Sequence, residues 1–413
     1  MLKNKQDERS SVLVGSLIAL SLGRMDPAFI PLQAAGLTAN QISYYLICVA
    51  LFIASIRYMP RWRIANIFFL STLALTIWAC LSSQWSLSSL MALAKGLSYV
   101  ILLFSCLTLA VTCDETTFIR GSIKGALIIL VLSTLLALAL PNSAGTTMFH
   151  DGAWRGLFMQ KNVLGRAAML GGIFAIAGLL IFEDKKDLRM AKLLLLIAVV
   201  VLIKSRSVTS MSAMVAIPVA ALLLLRLRKL PIQVRLTFAV ALPIFVAAVV
   251  LSAPYIIELF TAQTGKSADL TGRVPLWIYS IEKIKQQLWT GYGVEGFWGT
   301  YYAAEFIALQ KWEPDHSHNG FIDITLELGI VGLVLMLLSL IWFILNIPKP
   351  EGGMKSISIL MSITACLMVI LNLTESNLFR SSNSIYLFYL FLGLRVSFLK
   401  SGKVKSLSIP SKV

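Results

Sequence analysis

Long apolar runs, almost free of charge, set the limits on this fold. They lie near residues 11–23, 43–57, 65–83, 89–111, 122–140, 167–182, 190–203, 208–225, 236–258, 321–346, 357–374 and 385–399. Each approaches the ~20 residues that a helix needs to cross a hydrocarbon core. The apolar residues come in solid runs and not in alternation, which argues against a β-barrel and for helices. The seventh and eighth runs alternatively form one hairpin, broken at Lys204 to Ser207. Only 14% of the 413 residues are charged, and mean hydropathy is +0.81. A soluble globule of this size would lack the charge to cover its surface, and disorder needs low hydrophobicity. The expected fold is therefore an all-α polytopic membrane protein with about twelve transmembrane helices.

The formal charge of +16 follows from 36 Lys and Arg against 20 Asp and Glu. Nucleic-acid binding is the familiar reading of such a charge in a soluble protein. In a membrane protein, cytoplasmic loops collect the cations. With the N-terminus inside, basic groups recur loop after loop on that side: Lys3, Lys5 and Arg9; Arg57, Arg61 and Arg63; Lys185, Lys186, Arg189 and Lys192; Arg226, Arg228, Lys229 and Arg235. This bias places both termini in the cytoplasm, and no nucleic acid is expected. The expected layout is nine helices over residues 1–258, with a medium outward loop at 141–166. A long outward loop at 259–320 follows, then three helices over 321–399 and a tail at 400–413. The long loop is rich in aromatics, including Trp277, Tyr279, Trp289, Tyr292, Phe297, Trp298 and Tyr302. Such rings suit an interfacial belt, and they also suit stacking on sugars.

Five cysteines (Cys48, Cys80, Cys106, Cys113, Cys366) are scattered without a CxxC pair, so neither a disulfide framework nor a zinc ribbon is indicated. There is no P-loop, no GxSxG elbow, and no DxD pair in the outward loops. The three histidines, His150, His316 and His318, all map outward. Two of them share the segment Glu313-Pro-Asp-His-Ser-His-Asn-Gly320, beside Asp315 and Asn319 and just ahead of a span. Imidazole near pKa ~6.5 accepts a proton at neutral pH. A metal reading finds only Asp315 nearby as a third ligand, so no metal is expected. Outward cations form a second set: Arg155 and Lys161, followed by Asn162 and Arg166; Lys204 and Arg206; and Arg273, four residues before Trp277. Cations at membrane depth are costly, and guanidinium groups suit phosphate. Lys204 and Arg206 can equally snorkel to headgroups.

His318-Asn319, nine intervening residues, then Gly329-Ile-Val-Gly332 resembles the HN-x9-Gly-x-x-Gly signature of the O-antigen ligase and Wzy-type polymerase superfamily. Thr271-Gly-Arg-Val-Pro-Leu-Trp277 and Gly291-Tyr-Gly-Val-Glu-Gly-Phe-Trp298 are similar to motifs in that family's large loop. Trp154-Arg-Gly-Leu-Phe-Met-Gln-Lys-Asn162 is similar to an upstream loop of exopolysaccharide-type polymerases. The resemblance implies a GT-C-like glycosyltransferase in the bacterial inner membrane, with its site facing the periplasm. It implies a donor glycan on undecaprenyl diphosphate, and a glycan or lipid A–core acceptor. It implies neither nucleotide nor metal, while membrane lipids and a chain-length regulator are the further partners. His318 would be the general base, Arg273 would hold the donor diphosphate, and Arg206 would be a second phosphate-binding arginine. Arg155, Lys161, Asn162, Lys204, His316, Asn319 and Trp277 are the expected substrate-binding positions. Gly329 and Gly332 are expected to let helices pack closely beneath the site. Trp277 stands where ligases commonly place leucine, which favours the polymerase branch. A ligase, or a transporter of lipid-linked sugar, would share most of these features.

Overall fold

A computed structural model describes residues 2–23, 25–26, 33–34, 37–57, 66–140, 152–228, 230–231, 233–234, 237 and 273–400. All of the expected ninth span at 236–258 except residue 237, the first part of the long loop, His150 and the tail beyond Lys400 lie outside the described residues. The helices are α1 (Leu2–Ser21), α2 (Ala39–Ile56), α3 (Ile67–Leu81), α4 (Ser89–Thr112), α5 (Glu115–Ala139), α6 (Lys161–Ile181), α7 (Lys185–Ser205), α8 (Val208–Leu227), α9 (Arg273–Gln286), α10 (Tyr301–Gln310), α11 (Gly320–Leu345), α12 (Lys355–Ile370) and α13 (Ser384–Lys400). One two-residue antiparallel pair, Gln33–Ala34 with Leu37–Thr38, precedes α2. Among the described residues, 8 helical segments are long and apolar enough to cross a membrane. The chain is an all-α, multi-pass membrane protein.

Several helices start earlier than their apolar runs because polar flanks cap them. Asp114 Oδ1 accepts from Thr117 N–H at 2.6 Å, which starts α5 at Glu115. Asp184 caps α7 through the N–H groups of Lys186 and Asp187. A capping carboxylate satisfies orphan N–H groups and meets the positive end of the helix dipole. The seventh and eighth runs are separate helices. Arg206 turns between them with φ +51°.

The bundle centres on α13, whose residues are buried from Ser384 to Phe398. A helix apolar on every side needs neighbours on every side. Phe388 stacks on Phe174 of α6, and Phe391 stacks on Phe118 of α5 with centroids 3.8 Å apart. α1 lies against α5 so closely that a Cβ on Gly125 would sit 2.2 Å from Gly15 O. Some buried hydroxyls return to their own helix, as in Thr72 Oγ1 to Phe68 O and Ser122 Oγ to Phe118 O, both 2.8 Å. This satisfies them where water is absent.

The two ends of the bundle differ. One end holds isolated ion pairs: Arg120 with Asp187 at 2.8 Å and Arg395 with Glu115 at 3.3 Å. The other end gathers residues 152–160, the α7–α8 turn, the lobe formed by α9 and α10, and the segment 371–383 between α12 and α13. In that lobe most of the aromatics form a small core and no belt. Leu276, Tyr279, Tyr292, Phe297, Ala303, Phe306 and Leu326 are buried together, whereas Trp289 and Tyr301 stay exposed. Aromatic spacing alone does not separate a lobe's own core from an interfacial belt.

α11 breaks at Gly329, where φ is +66°. The break frees three carbonyls and an N–H inside an apolar environment, where unpaired backbone costs several kcal/mol. A glycine-rich loop repairs it. Tyr292 and Gly293 donate N–H groups to Leu326 O and Glu327 O at 2.9 and 2.8 Å, and Ile330 N–H donates to Leu288 O at 2.8 Å. The indole N–H of Trp78 reaches Leu328 O at 3.0 Å. A Cβ on Gly329 would sit 2.2 Å from Trp289 O. Gly329 therefore serves to admit a loop into a broken helix, which goes beyond the close helix packing that its spacing suggests.

Candidate active site

The site is built on a constrained turn. His318 adopts φ +55°, a left-handed conformation that costs a non-glycine residue ~1–2 kcal/mol. Its neighbours fix that turn from both sides. Ser317 N–H donates to Asp323 Oδ1 at 2.9 Å, and Ser317 Oγ donates to Asn319 O at 2.9 Å. The Trp277 indole N–H donates to Ser317 O at 2.9 Å. Asn319 Oδ1 caps α11 by accepting from Phe321 and Ile322 N–H at 3.0 and 3.2 Å. Strain held by surrounding bonds is typical of functional positions.

Asp323 in turn belongs to a charge network that sequence reading passes over. It also accepts from Trp298 Nε1 at 3.1 Å and from Ser376 Oγ. Arg380 lies 3.7 Å from Asp323 Oδ2 and 3.5 Å from Glu327 Oε1. Asp323 and Glu327 are one turn apart on α11 and both are buried. Two carboxylates at i, i+4 inside an apolar run were the available signal, since such groups require a partner. Their partner sits 53 residues away in sequence from Glu327, between α12 and α13.

The segment 371–383 also brings Glu375, which the sequence reading does not single out. Arg273 Nη1 donates to Thr374 O at 2.8 Å, and its Nη2 lies 3.3 Å from Glu375 Oε1. Arg166 reaches the other oxygen of Glu375 at 3.9 Å. Glu375, His316 and His318 each offer one ligand-type atom, and these lie within 4.8 Å of one another. Arg273, His316 and His318 therefore meet at one place, through a carboxylate bridged by two guanidinium groups.

The half-buried His318 ring has its Nδ1 buried without a hydrogen bond among the described residues. Burial pushes its pKa down to about 4, from an ordinary 6.5. The neighbouring His316 and Arg273 add to this, against the opposing charges of Glu375 and Asp315. The imidazole is neutral at physiological pH and has a lone pair available. The His316 ring stands perpendicular to it with centroids 4.2 Å apart, and His316 Nε2 is 3.6 Å from Asp315.

The remaining predicted positions spread around this centre. Arg155 pairs with Asp26, and Asp26 N–H donates to Leu157 O at 2.8 Å, which ties residues 152–160 to the end of α1. Lys161 and Asn162 open α6, five and four residues before Arg166. Lys204 lies over the Trp154 ring at 5.8 Å, and its carbonyl accepts from Trp154 N–H at 3.0 Å. Arg206 is exposed at the α7–α8 turn. That turn packs on α6 so tightly that a Cβ on Gly165 would be 2.5 Å from Ser207 Cβ. Arg206 is thus held beside the turn of α6 that bears Arg166. Asn319 is fully buried in its capping role, and Trp277 is buried with its N–H engaged.

Residues 191–337 match a family model described as O-antigen ligase. The match takes in Lys204, Arg206, Arg273, His318 and Gly329, and excludes Arg166 and Glu375. The chain is also 31% identical over 283 residues to the exopolysaccharide production protein ExoQ of Rhizobium meliloti (strain 1021), an alignment covering 65% of this chain. The chain spans about 62% of the length of that curated relative. Residues 191–337, which carry Arg273 and His318, are thus similar to the O-antigen ligase family.

Proposed function

We propose that this protein is a metal-independent inverting glycosyltransferase that polymerises undecaprenyl-diphosphate-linked oligosaccharide repeat units. It would act at the periplasmic face of the bacterial inner membrane, with both termini in the cytoplasm. The observation that carries this reading is a neutral imidazole beside a carboxylate held by two arginines, at one end of the bundle. A carboxylate between two guanidinium groups occupies the kind of seat that suits phosphate oxygens. In this reading the donor diphosphate takes over Arg273 and Arg166 from Glu375, with Arg206 reaching it from the neighbouring turn. His318 removes the proton from the acceptor hydroxyl as that oxygen attacks the anomeric carbon. The bond to the lipid diphosphate breaks on the opposite side, so the centre inverts.

The leaving diphosphate is already acidic and needs no general acid. A positioned base contributes roughly 10²–10⁴-fold. Arginines that stabilise charge growing on the leaving group supply a few kcal/mol each. Asp323, Ser317 and Trp277 keep the imidazole in its turn. Lys161, Asn162, Lys204 and Arg155 line the approach as substrate-binding positions, with His316 and Asn319 framing the base. The name of the relative, an exopolysaccharide production protein, supports the polymerase reading. The description of the matching family favours a second reading, a ligase that passes the same donor chain to lipid A–core.

The test is purified protein in liposomes with a defined lipid-linked repeat unit as sole substrate, and products read by mass spectrometry. The polymerase reading expects lipid-linked dimers and longer chains without ATP or a proton gradient. A protein that elongates only when lipid A–core is supplied is a ligase. No transfer to either acceptor contradicts both readings.

A further inference from the structure

We infer that His316, His318 and Glu375 form a reversible binding site for a zinc-class dication, and that the ion acts there as an inhibitor and not as a cofactor. The sequence offers only Asp315 beside the histidines. The fold adds Glu375 from the segment between α12 and α13, and three ligand-type atoms come within 4.8 Å of one another. Two imidazoles and a carboxylate are a donor set for Zn²⁺ and its neighbours, whereas Mg²⁺ and Ca²⁺ favour oxygen alone. Three protein ligands leave a fourth position open to water or substrate. Both histidine rings are half-buried and can be reached from solvent.

The local charge permits a dication. At contact distance Glu375 offsets Arg273 and Arg166, Asp315 lies beside His316, and the further cation Arg206 is exposed to solvent at the α7–α8 turn. The guanidinium contacts to Glu375 are long, at 3.3 and 3.9 Å, so the carboxylate can turn toward an ion while staying oriented by the arginines. Metal-bound carboxylates are commonly held in this way by a second layer of donors. An ion on His318 would take the lone pair that the acceptor's proton needs. The inhibitory half of this inference rests on His318 being the base. The binding half does not.

The experiment uses the full chain in detergent, stripped with EDTA and titrated with ZnCl₂ at neutral pH by calorimetry. MgCl₂ serves as the control, and His316→Ala and Glu375→Gln are measured alongside. One Zn²⁺ per chain is expected, with no response to Mg²⁺ and affinity at least ~10-fold weaker in each variant. Variants are compared only where size exclusion and thermal melting match the wild type, and His316→Gln replaces His316→Ala if the latter misfolds. No Zn²⁺ binding to the wild type, or unchanged affinity in both variants, overturns the site. Inhibition of chain elongation by Zn²⁺, reversed by EDTA, completes the inference. Stoichiometric binding that these variants weaken, without inhibition, would leave the site standing and remove His318 as the base.

Discussion

Gly329→Ala is the sharpest structural perturbation available. The added Cβ would lie 2.2 Å from Trp289 O, 2.3 Å from Trp289 C and 2.6 Å from Thr290 N, all of them backbone atoms. No rotamer change relieves such overlap. Holding φ at +66° costs alanine ~1–2 kcal/mol on its own. Relief requires the loop 288–293 to leave α11, which breaks the bonds from Tyr292, Gly293 and Ile330 N–H. At ~1 kcal/mol net for each, the loop adds about 3 kcal/mol. The expected loss is about 4–5 kcal/mol, a large share of the stability of an ordinary domain. Equilibrium unfolding in mixed micelles measures it, with Gly353→Ala as control, since a Cβ there meets nothing within 4 Å. The substitution should also lower activity, because Leu326 and Glu327 lie just beyond Asp323 on the same helix. Gly329→Ala unfolding within ~0.5 kcal/mol of wild type would refute the account of the broken helix.

Other expectations follow from the same geometry. Arg380→Met leaves Asp323 and Glu327 buried without their cation, and thermal unfolding should report a loss of ~3–5 kcal/mol; an unchanged melting temperature contradicts the network. Trp277→Phe removes the donor to Ser317 O and leaves a buried carbonyl unpaired. Stability should fall by ~1–3 kcal/mol and kcat should fall more than KM rises; a pure KM effect would speak against a positioning role. In chelator-treated buffer, the rate should stay level as pH falls through 6.5 and decline only as His318 takes a proton near its lowered pKa of about 4. The unfolded chain binds that proton at the higher pH, so this group's contribution to stability is complete above 6.5 and is lost as pH falls toward 4. A pH–rate profile with its acidic limb at 6.5 would contradict the burial of the ring.

The helical bundle was legible because hydrocarbon thickness imposes a length on each span. The runs at 43–57, 89–111, 321–346 and 385–399 correspond to α2, α4, α11 and α13. Helix starts were less legible. Asp114 and Asp184 extend α5 and α7 into polar sequence by capping, which hydropathy does not register. His318 and Arg273 stood out because ionisable groups at a membrane boundary are scarce. Glu375 and Arg380 escaped because their meaning lies in pairing across distant segments, and Arg166, named among the outward cations, gains its partner Glu375 only in the fold. Thr374-Glu-Ser-Asn reads as a plain connector until the fold sets it against Arg273. The aromatics of the long loop suggested a belt because their mutual packing becomes visible only once α9 and α10 close on one another.

The most direct test is single-turnover transfer by the purified, reconstituted protein carrying His318→Ala, with donor binding measured on the same sample. Loss of the base predicts a rate lowered roughly 10²–10⁴-fold while donor affinity, set by the arginines, stays close to wild type. A folded His318→Ala protein that extends lipid-linked chains at nearly the wild-type rate would contradict the mechanism at its centre.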